Sequence, residues 1–138
     1  MTGARLGARD DLDRLLDDFT RETPEVVAAV VVSVDGLPLA RSAGVSGMLA
    51  DQLSAAASGL LSLSRAATTL LGAGTLNQAI LEMTGGYLFL TSIGRGATAA
   101  VHAGPHCDLG LVGHGIAVFG ERVGDVLDPG VRTGSTAR

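Results

Sequence analysis

The chain of 138 residues suffices for one domain that buries its core without disulfides, and its single cysteine, Cys107, cannot form an internal one. A net charge of −4, the absence of Trp and a single Tyr argue against nucleic-acid binding through phosphate contacts and base stacking. The longest apolar run, residues 26–32, is too short to span a bilayer, so we expect a cytoplasmic protein, recruited to the inner membrane face only by its partners.

The first elements predicted along the chain are a helix and a β-hairpin. Apolar residues at helical spacing predict the helix over residues 10–22. Residues 26–34 are β-branched and apolar on both faces, which is typical of a central strand. Asp35-Gly36 then predicts the turn, and Pro38 marks the returning strand as an edge of the sheet, because proline cannot donate to a ladder.

The second helix is predicted over residues 46–71 and has an unusual surface. Small uncharged residues occupy most of its circumference, which is typical of a helix covered on more than one side. Its larger apolar residues recur in an unbroken heptad pattern: Leu49, Leu53, Ala56, Leu60, Leu63, Ala67 and Leu70.

Three strands and a last helix are predicted in the second half of the chain. The strands cover residues 75–83, 87–93 and 97–103, separated by glycine-containing turns. The helix covers residues 108–127, with Asp108 as its N-cap.

The order α-β-β-α-β-β-β-α, with short hairpin links, predicts an α/β sandwich of the α+β class with a five-stranded antiparallel sheet. We expect one domain over residues 10–128. A flexible N-terminus of residues 1–9 and a flexible tail of residues 129–138 would flank it.

The candidates for chemistry are few. His102, His106, Cys107 and His114 are the only cluster of soft ligands, and their loose spacing predicts no metal and no cofactor. A metal- or thiol-dependent enzyme stays an alternative, because Cys107 precedes a helix N-terminus that would stabilise a thiolate. Phosphate-binding glycine motifs and paired carboxylates of the glycosidase or protease kind are both missing from the sequence, so we predict a protein that is not an enzyme and has no catalytic residues.

A family resemblance covers about Leu12 to Leu127. The buried strand, the turn from Asp35 to Ala40 and the long Ala/Leu helix resemble the roadblock / dynein light chain family, and so do the later strands and the Asp108–Val112 helix entry. The resemblance is strongest to bacterial MglB-like proteins, including those encoded beside a sensor kinase and a small GTPase in actinobacterial conservon operons. It implies dimerisation through the second helix and third strand, and binding or regulation of Ras-like small GTPases. Some members of the family stimulate GTP hydrolysis without inserting an arginine finger.

We therefore expect a non-enzymatic homodimeric regulator or scaffold that binds a Ras-like small GTPase and modulates its nucleotide cycle. Only seven charged residues lie between positions 26 and 120, and such a thinly charged surface favours contact with partners. The alternative is an adaptor of a sensor histidine kinase complex without direct GTPase regulation. The expected dimer interface comprises Ala55, Gly59, Ala66, Asn77, Ala79 and Leu81. The expected GTPase contacts are Asp51, Ser54, Ser58, Ser62 and Arg65.

Overall fold

The computed structural model describes residues 2–127, with side chains from 9–126. Along the chain lie α1 (Thr2–Glu22), β1 (Val26–Val32), β2 (Pro38–Arg41), α2 (Gly47–Leu71), β3 (Gln78–Met83), β4 (Gly86–Gly94), β5 (Ala97–Ala103) and α3 (Leu109–Leu127). This order confirms the predicted one. No helix within residues 2–127 combines the length and the apolar character that crossing a membrane requires.

The five strands form one sheet in the order β2-β1-β5-β4-β3, and every neighbouring pair is antiparallel. Because helices cover both faces of the sheet at β1, Val30 to Val32 are buried, as their apolar run predicts. The two edges differ. The β2 edge is four residues long, begins at Pro38 and pairs through a register shift, whereas β3 is six residues long and pairs without one.

Helices cover both faces of the sheet. On one face, α1 and α3 pack around Leu16, Val31, Phe89 and the ring pair of Phe19 and Phe119, whose centroids are 5.5 Å apart. On the other face, α2 packs on the alternate residues of the same strands: Val30, Val32, Leu88, Leu90 and Ala100. The result is a sandwich of three layers, with the sheet in the middle.

Helix α1 begins at Thr2 rather than near Asp10, because the good helix formers between positions 4 and 9 offset the weak ones, Gly3 and Gly7. Its acidic side chains tie it to the sheet edge: Asp17 Oδ1 accepts a hydrogen bond from the backbone N–H of Ala43 at 2.8 Å. Asp13 Oδ1 accepts another from that of Arg41 at 3.3 Å. The expected tail over residues 129–138 lies outside the described residues.

The ends of α2 and the start of α3 follow from the capping residues. The Ser46 hydroxyl accepts a hydrogen bond from the N–H of Leu49 at 3.0 Å, and Gly72 ends α2 in the left-handed conformation. Asp108 Oδ1 accepts one from the N–H of Leu111 at 3.1 Å, which confirms the predicted N-cap of α3.

Candidate functional site

Helix α2 is rotated so that small residues, not its leucines, face the sheet. The buried side comprises Ala50, Ser54, Ala57 and Leu61. At 3.6 residues per turn, the heptad residues lie about 120° around the helix from this face. We call them the leucine flank: Leu49, Leu53, Ala56, Leu60, Leu63, Ala67 and Leu70. Leu63 is 73% exposed and Leu70 is 86% exposed, so no element of the described chain covers this end of the stripe.

The leucine flank points toward the half of the sheet that α2 leaves bare. On the opposite side of α2, Ser58 approaches the β1–β2 hairpin so closely that a Cβ on Gly36 would lie 3.1 Å from it. The leucine flank therefore faces away from the hairpin, and its half-buried Leu53 and Leu60 pack against the core cluster that includes Leu88 and Leu90 of β4.

Beyond β4, the edge strand β3 extends this apolar surface. Leu81 and Met83 point to the α2 side of the sheet, since Leu81 pairs with Leu88 of the α2-side core. Both are more than 40% exposed. The leucine flank, Leu81 and Met83 together form what we call the open apolar surface. An exposed apolar surface of this kind on a small domain marks an interaction site.

The residues expected to bind a GTPase are divided by the fold. Asp51, Ser62 and Arg65 are exposed on the side of α2 near the β1–β2 hairpin, and half-buried Ser58 lies there too. We call these four residues the polar flank. The expectation that Ser54 contacts a GTPase is wrong. Ser54 belongs to the buried face of α2 and is 0% exposed, so a partner cannot touch it.

The residues expected at a dimer interface are likewise in two places. Ala55, Gly59 and Ala66 are exposed on the side of α2 that points away from the sheet, which we call the outer ridge. Exposed Asn77 precedes β3, and half-buried Ala79 and exposed Leu81 lie on β3 beside the leucine flank. The leucine flank was not among the residues expected at the interface, although its heptad spacing is the pattern of a helix–helix seam.

Ser54 also carries a polar atom without a partner, because its hydroxyl is buried and makes no hydrogen bond in the described structure. An unsatisfied buried hydroxyl costs about 1–3 kcal/mol. We expect Ser54→Ala to raise the free energy of unfolding by about 1 kcal/mol, measured by urea denaturation. The exposed Ser62→Ala is the control and should change it by less than about 0.5 kcal/mol. A destabilised Ser54→Ala protein would contradict an unpaired hydroxyl.

The soft ligands do not come together. His102 pairs with Ala28 and Leu88 and so lies on the α2 side of the sheet, whereas Cys107 packs against the α1/α3 core. His106 is exposed in the connection before α3, and His114 is exposed on α3 itself. Within the described part of the chain, no group of three or more His, Cys, Asp or Glu residues is placed to hold a metal ion.

The Cys107 thiol is not activated by the helix that follows it. Burial raises the pKa of this thiol, and the carboxylates of Glu25 and Asp108 raise it further. The thiolate expected from a helix N-terminus is therefore disfavoured, since these effects outweigh the backbone hydrogen bond that lowers the pKa.

This raised pKa predicts slow thiol chemistry in the folded protein. The thiolate is the reacting form, so modification of Cys107 by a disulfide reagent at neutral pH should be slower in the native protein than in the urea-unfolded chain. As the pH is raised, the modification rate of the native protein should begin to increase at a higher pH than that of the unfolded chain. A native thiol that reacts faster than the unfolded one at pH 7 would contradict this result.

The architecture is that of an α+β sandwich in which a five-stranded antiparallel sheet carries two helices on one face and one on the other. The family model of the Roadblock/LC7 domain matches residues 12–103, and the chain belongs to this family. No curated protein sequence matches the chain.

Solved structures of the same fold cover most of the chain. A Roadblock/LC7 domain from Streptomyces avermitilis is 34% identical, covering 85% of this chain and 98% of that one, with a TM-score of 0.80. MglB of Myxococcus xanthus is 15% identical, covering 88% and 90%, with a TM-score of 0.79. An MglB described as having a tetrameric arrangement is 19% identical, covering 86% and 89%, with a TM-score of 0.76.

Proposed function

We propose that the protein is a non-enzymatic homodimeric regulator that binds a Ras-like small GTPase and modulates its nucleotide cycle. The observation that carries the proposal is the open apolar surface, which no element among the described residues covers. Membership of the Roadblock/LC7 family supports it, because resemblance to the MglB-like members implies such a partner.

The dimer is expected to use the leucine flank and β3. Burying a fully exposed leucine side chain contributes about 1.5–3 kcal/mol, and Leu63 and Leu70 of each copy are largely exposed. The sheet edges support the same assignment. The β2 edge is protected against pairing by its shortness and by Pro38, whereas the longer β3 edge has neither proline nor bulge and carries one charge, Glu82.

The GTPase is expected to dock on the polar flank and outer ridge of α2. In a dimer closed through the leucine flank and β3, the polar flank on the opposite side of α2 would stay accessible, and the outer ridge would border the contact. The small side chains of Ala55, Gly59 and Ala66 let a switch loop approach the helix backbone closely. Asp51 and Arg65 are the only charges on α2, so they would orient the partner more than they strengthen binding.

The test uses the Ras-like GTPase encoded nearest to this protein's gene, loaded with GDP or a non-hydrolysable GTP analogue. We expect the wild-type dimer to bind one nucleotide state about tenfold more tightly than the other. Arg65→Glu should weaken that binding about tenfold while light scattering still reports a dimer. Arg122→Glu, the same charge change in an exposed residue on the opposite face of the sheet, is the control.

Two outcomes would count against the proposal. Unchanged affinity in Arg65→Glu would remove α2 as the docking site. A wild-type dimer that binds neither nucleotide state would favour the adaptor of a sensor histidine kinase complex instead.

A further inference from the structure

We propose that two copies pair their β3 strands in the antiparallel register centred on Ile80, which sets Glu82 of one copy opposite Gln78 of the other. This inference rests on the proposed homodimer and adds its residue-level register. Three observations carry it: the direction of the backbone groups on β3, the position of its one charge, and the hydrogen bond that Gln78 already makes.

Twofold symmetry limits the choice of register. When a strand pairs antiparallel with its own copy about a twofold axis perpendicular to the sheet, one residue must lie opposite itself. For the strand Gln78–Met83, the central candidates are Ala79, Ile80, Leu81 and Glu82. A register centred on Glu82 would set two carboxylates face to face, which is unfavourable.

The pairing of β3 with β4 decides which backbone groups of β3 face outward. The N–H of Ser92 donates to the carbonyl of Asn77 at 3.4 Å, so Asn77 and Ser92 are a hydrogen-bonded pair. Hydrogen-bonded and non-hydrogen-bonded pairs alternate along an antiparallel ladder. Ala79, Leu81 and Met83 therefore point their N–H and C=O groups toward β4, and those of Gln78, Ile80 and Glu82 point to the open edge.

Only in the register centred on Ile80 does every outward N–H and C=O group of β3 pair with a residue inside the β3 strand of the second copy. Ile80 then exchanges two hydrogen bonds with its own copy, and Gln78 and Glu82 do so with each other across both ends. Centring on Leu81 would pair Gln78 with Thr84 of the second copy, and centring on Ala79 would pair Glu82 with its Leu76. Both of those residues lie outside the strand.

The side chains of β3 favour the same register as its backbone groups. Ile80 lies opposite Phe89 of the α1/α3 core and is 43% exposed, so self-pairing would cover its apolar surface. Gln78 Oε1 accepts a hydrogen bond from the hydroxyl of Thr91 at 3.5 Å. The Nε2 group of Gln78 is therefore the one left to donate, and a carboxylate such as Glu82 of the second copy is a matching acceptor.

Disulfide trapping tests the register in a Cys107→Ser background. Non-hydrogen-bonded pairs bring Cα atoms to about 4.5 Å, within the range that a disulfide spans. In the proposed register, Ala79 forms such a pair with Leu81 of the second copy. A mixture of Ala79→Cys and Leu81→Cys proteins should then cross-link about tenfold faster than either protein alone.

The other registers give different products, which makes the result decisive. Faster cross-linking of Leu81→Cys alone, or of Ala79→Cys alone, would overturn the Ile80 register and identify the residue that faces itself. Wild-type protein that is monomeric by light scattering would instead overturn the proposed dimer, and the two failures are thus distinguishable.

A charge change gives a second measurement that needs no cysteine. Gln78→Glu would set carboxylates opposite Glu82 at both ends of the pairing, so the dimer should weaken about tenfold at low salt and recover as salt rises. Gln78→Arg should strengthen it. Equal dimer affinities for these two variants would contradict the register.

Discussion

Replacing Leu63 with arginine is expected to convert the dimer into a monomer. Leu63 lies on the leucine flank and is 73% exposed in the single chain, so it is available to be buried against a second copy. The symmetric contact would enclose two new guanidinium groups, and an unpaired buried charge costs about 3–5 kcal/mol. The dissociation constant should therefore rise at least about 100-fold, measured by analytical ultracentrifugation.

The matched control is Ala55→Arg on the outer ridge of the same helix. Both residues are exposed in the single chain, so neither substitution should unfold it. The two variants separate the leucine flank from the outer ridge, where the sequence analysis expected the dimer contact. If the dimer persists in Leu63→Arg but dissociates in Ala55→Arg, the dimer contact lies on the outer ridge and not on the leucine flank.

Replacing Gly86 with alanine is expected to lower the free energy of unfolding by about 3 kcal/mol or more. Gly86 starts β4 at a φ of +140°, and a Cβ there would lie 2.2 Å from the carbonyl oxygen of Ala103 on β5. A backbone atom within a paired strand cannot move aside as the end of a side chain can. The substitution must therefore push β4 away from β5, and β3 is held to the sheet by β4.

The neighbouring Gly85→Ala is its control, because a Cβ at Gly85 would meet nothing within 4 Å. We expect that variant to stay within about 0.5 kcal/mol of the wild type in urea denaturation. The pair tests whether the close approach of β4 to β5, rather than the loss of a flexible turn residue, makes glycine necessary. Equal stabilities of the two variants would contradict it.

Much of the architecture could be predicted because its signals are local. The β-branched run before Asp35 forms the interior strand β1, beside the central strand β5, and Pro38 begins the protected edge strand. Ser46 and Asp108 occupy the capping positions that such residues favour. The hairpin differs in detail. The N–H of Ser33 donates to the carbonyl of Leu37, which closes a longer loop than the two-residue turn predicted from Asp35-Gly36.

The sequence by itself determined the helices, the strands, the antiparallel sheet and the family, since periodicity, turn residues and caps act over a few neighbouring positions. Which face of α2 is buried was decided only by tertiary packing. Both the heptad leucines and the face of small residues can pack against a sheet. No local sequence rule decides which of these two faces of α2 is buried. The sheet accepts the face of Ala50, Ser54 and Ala57 because small side chains let the helix lie close to it, and this rotation leaves the leucine flank for a partner.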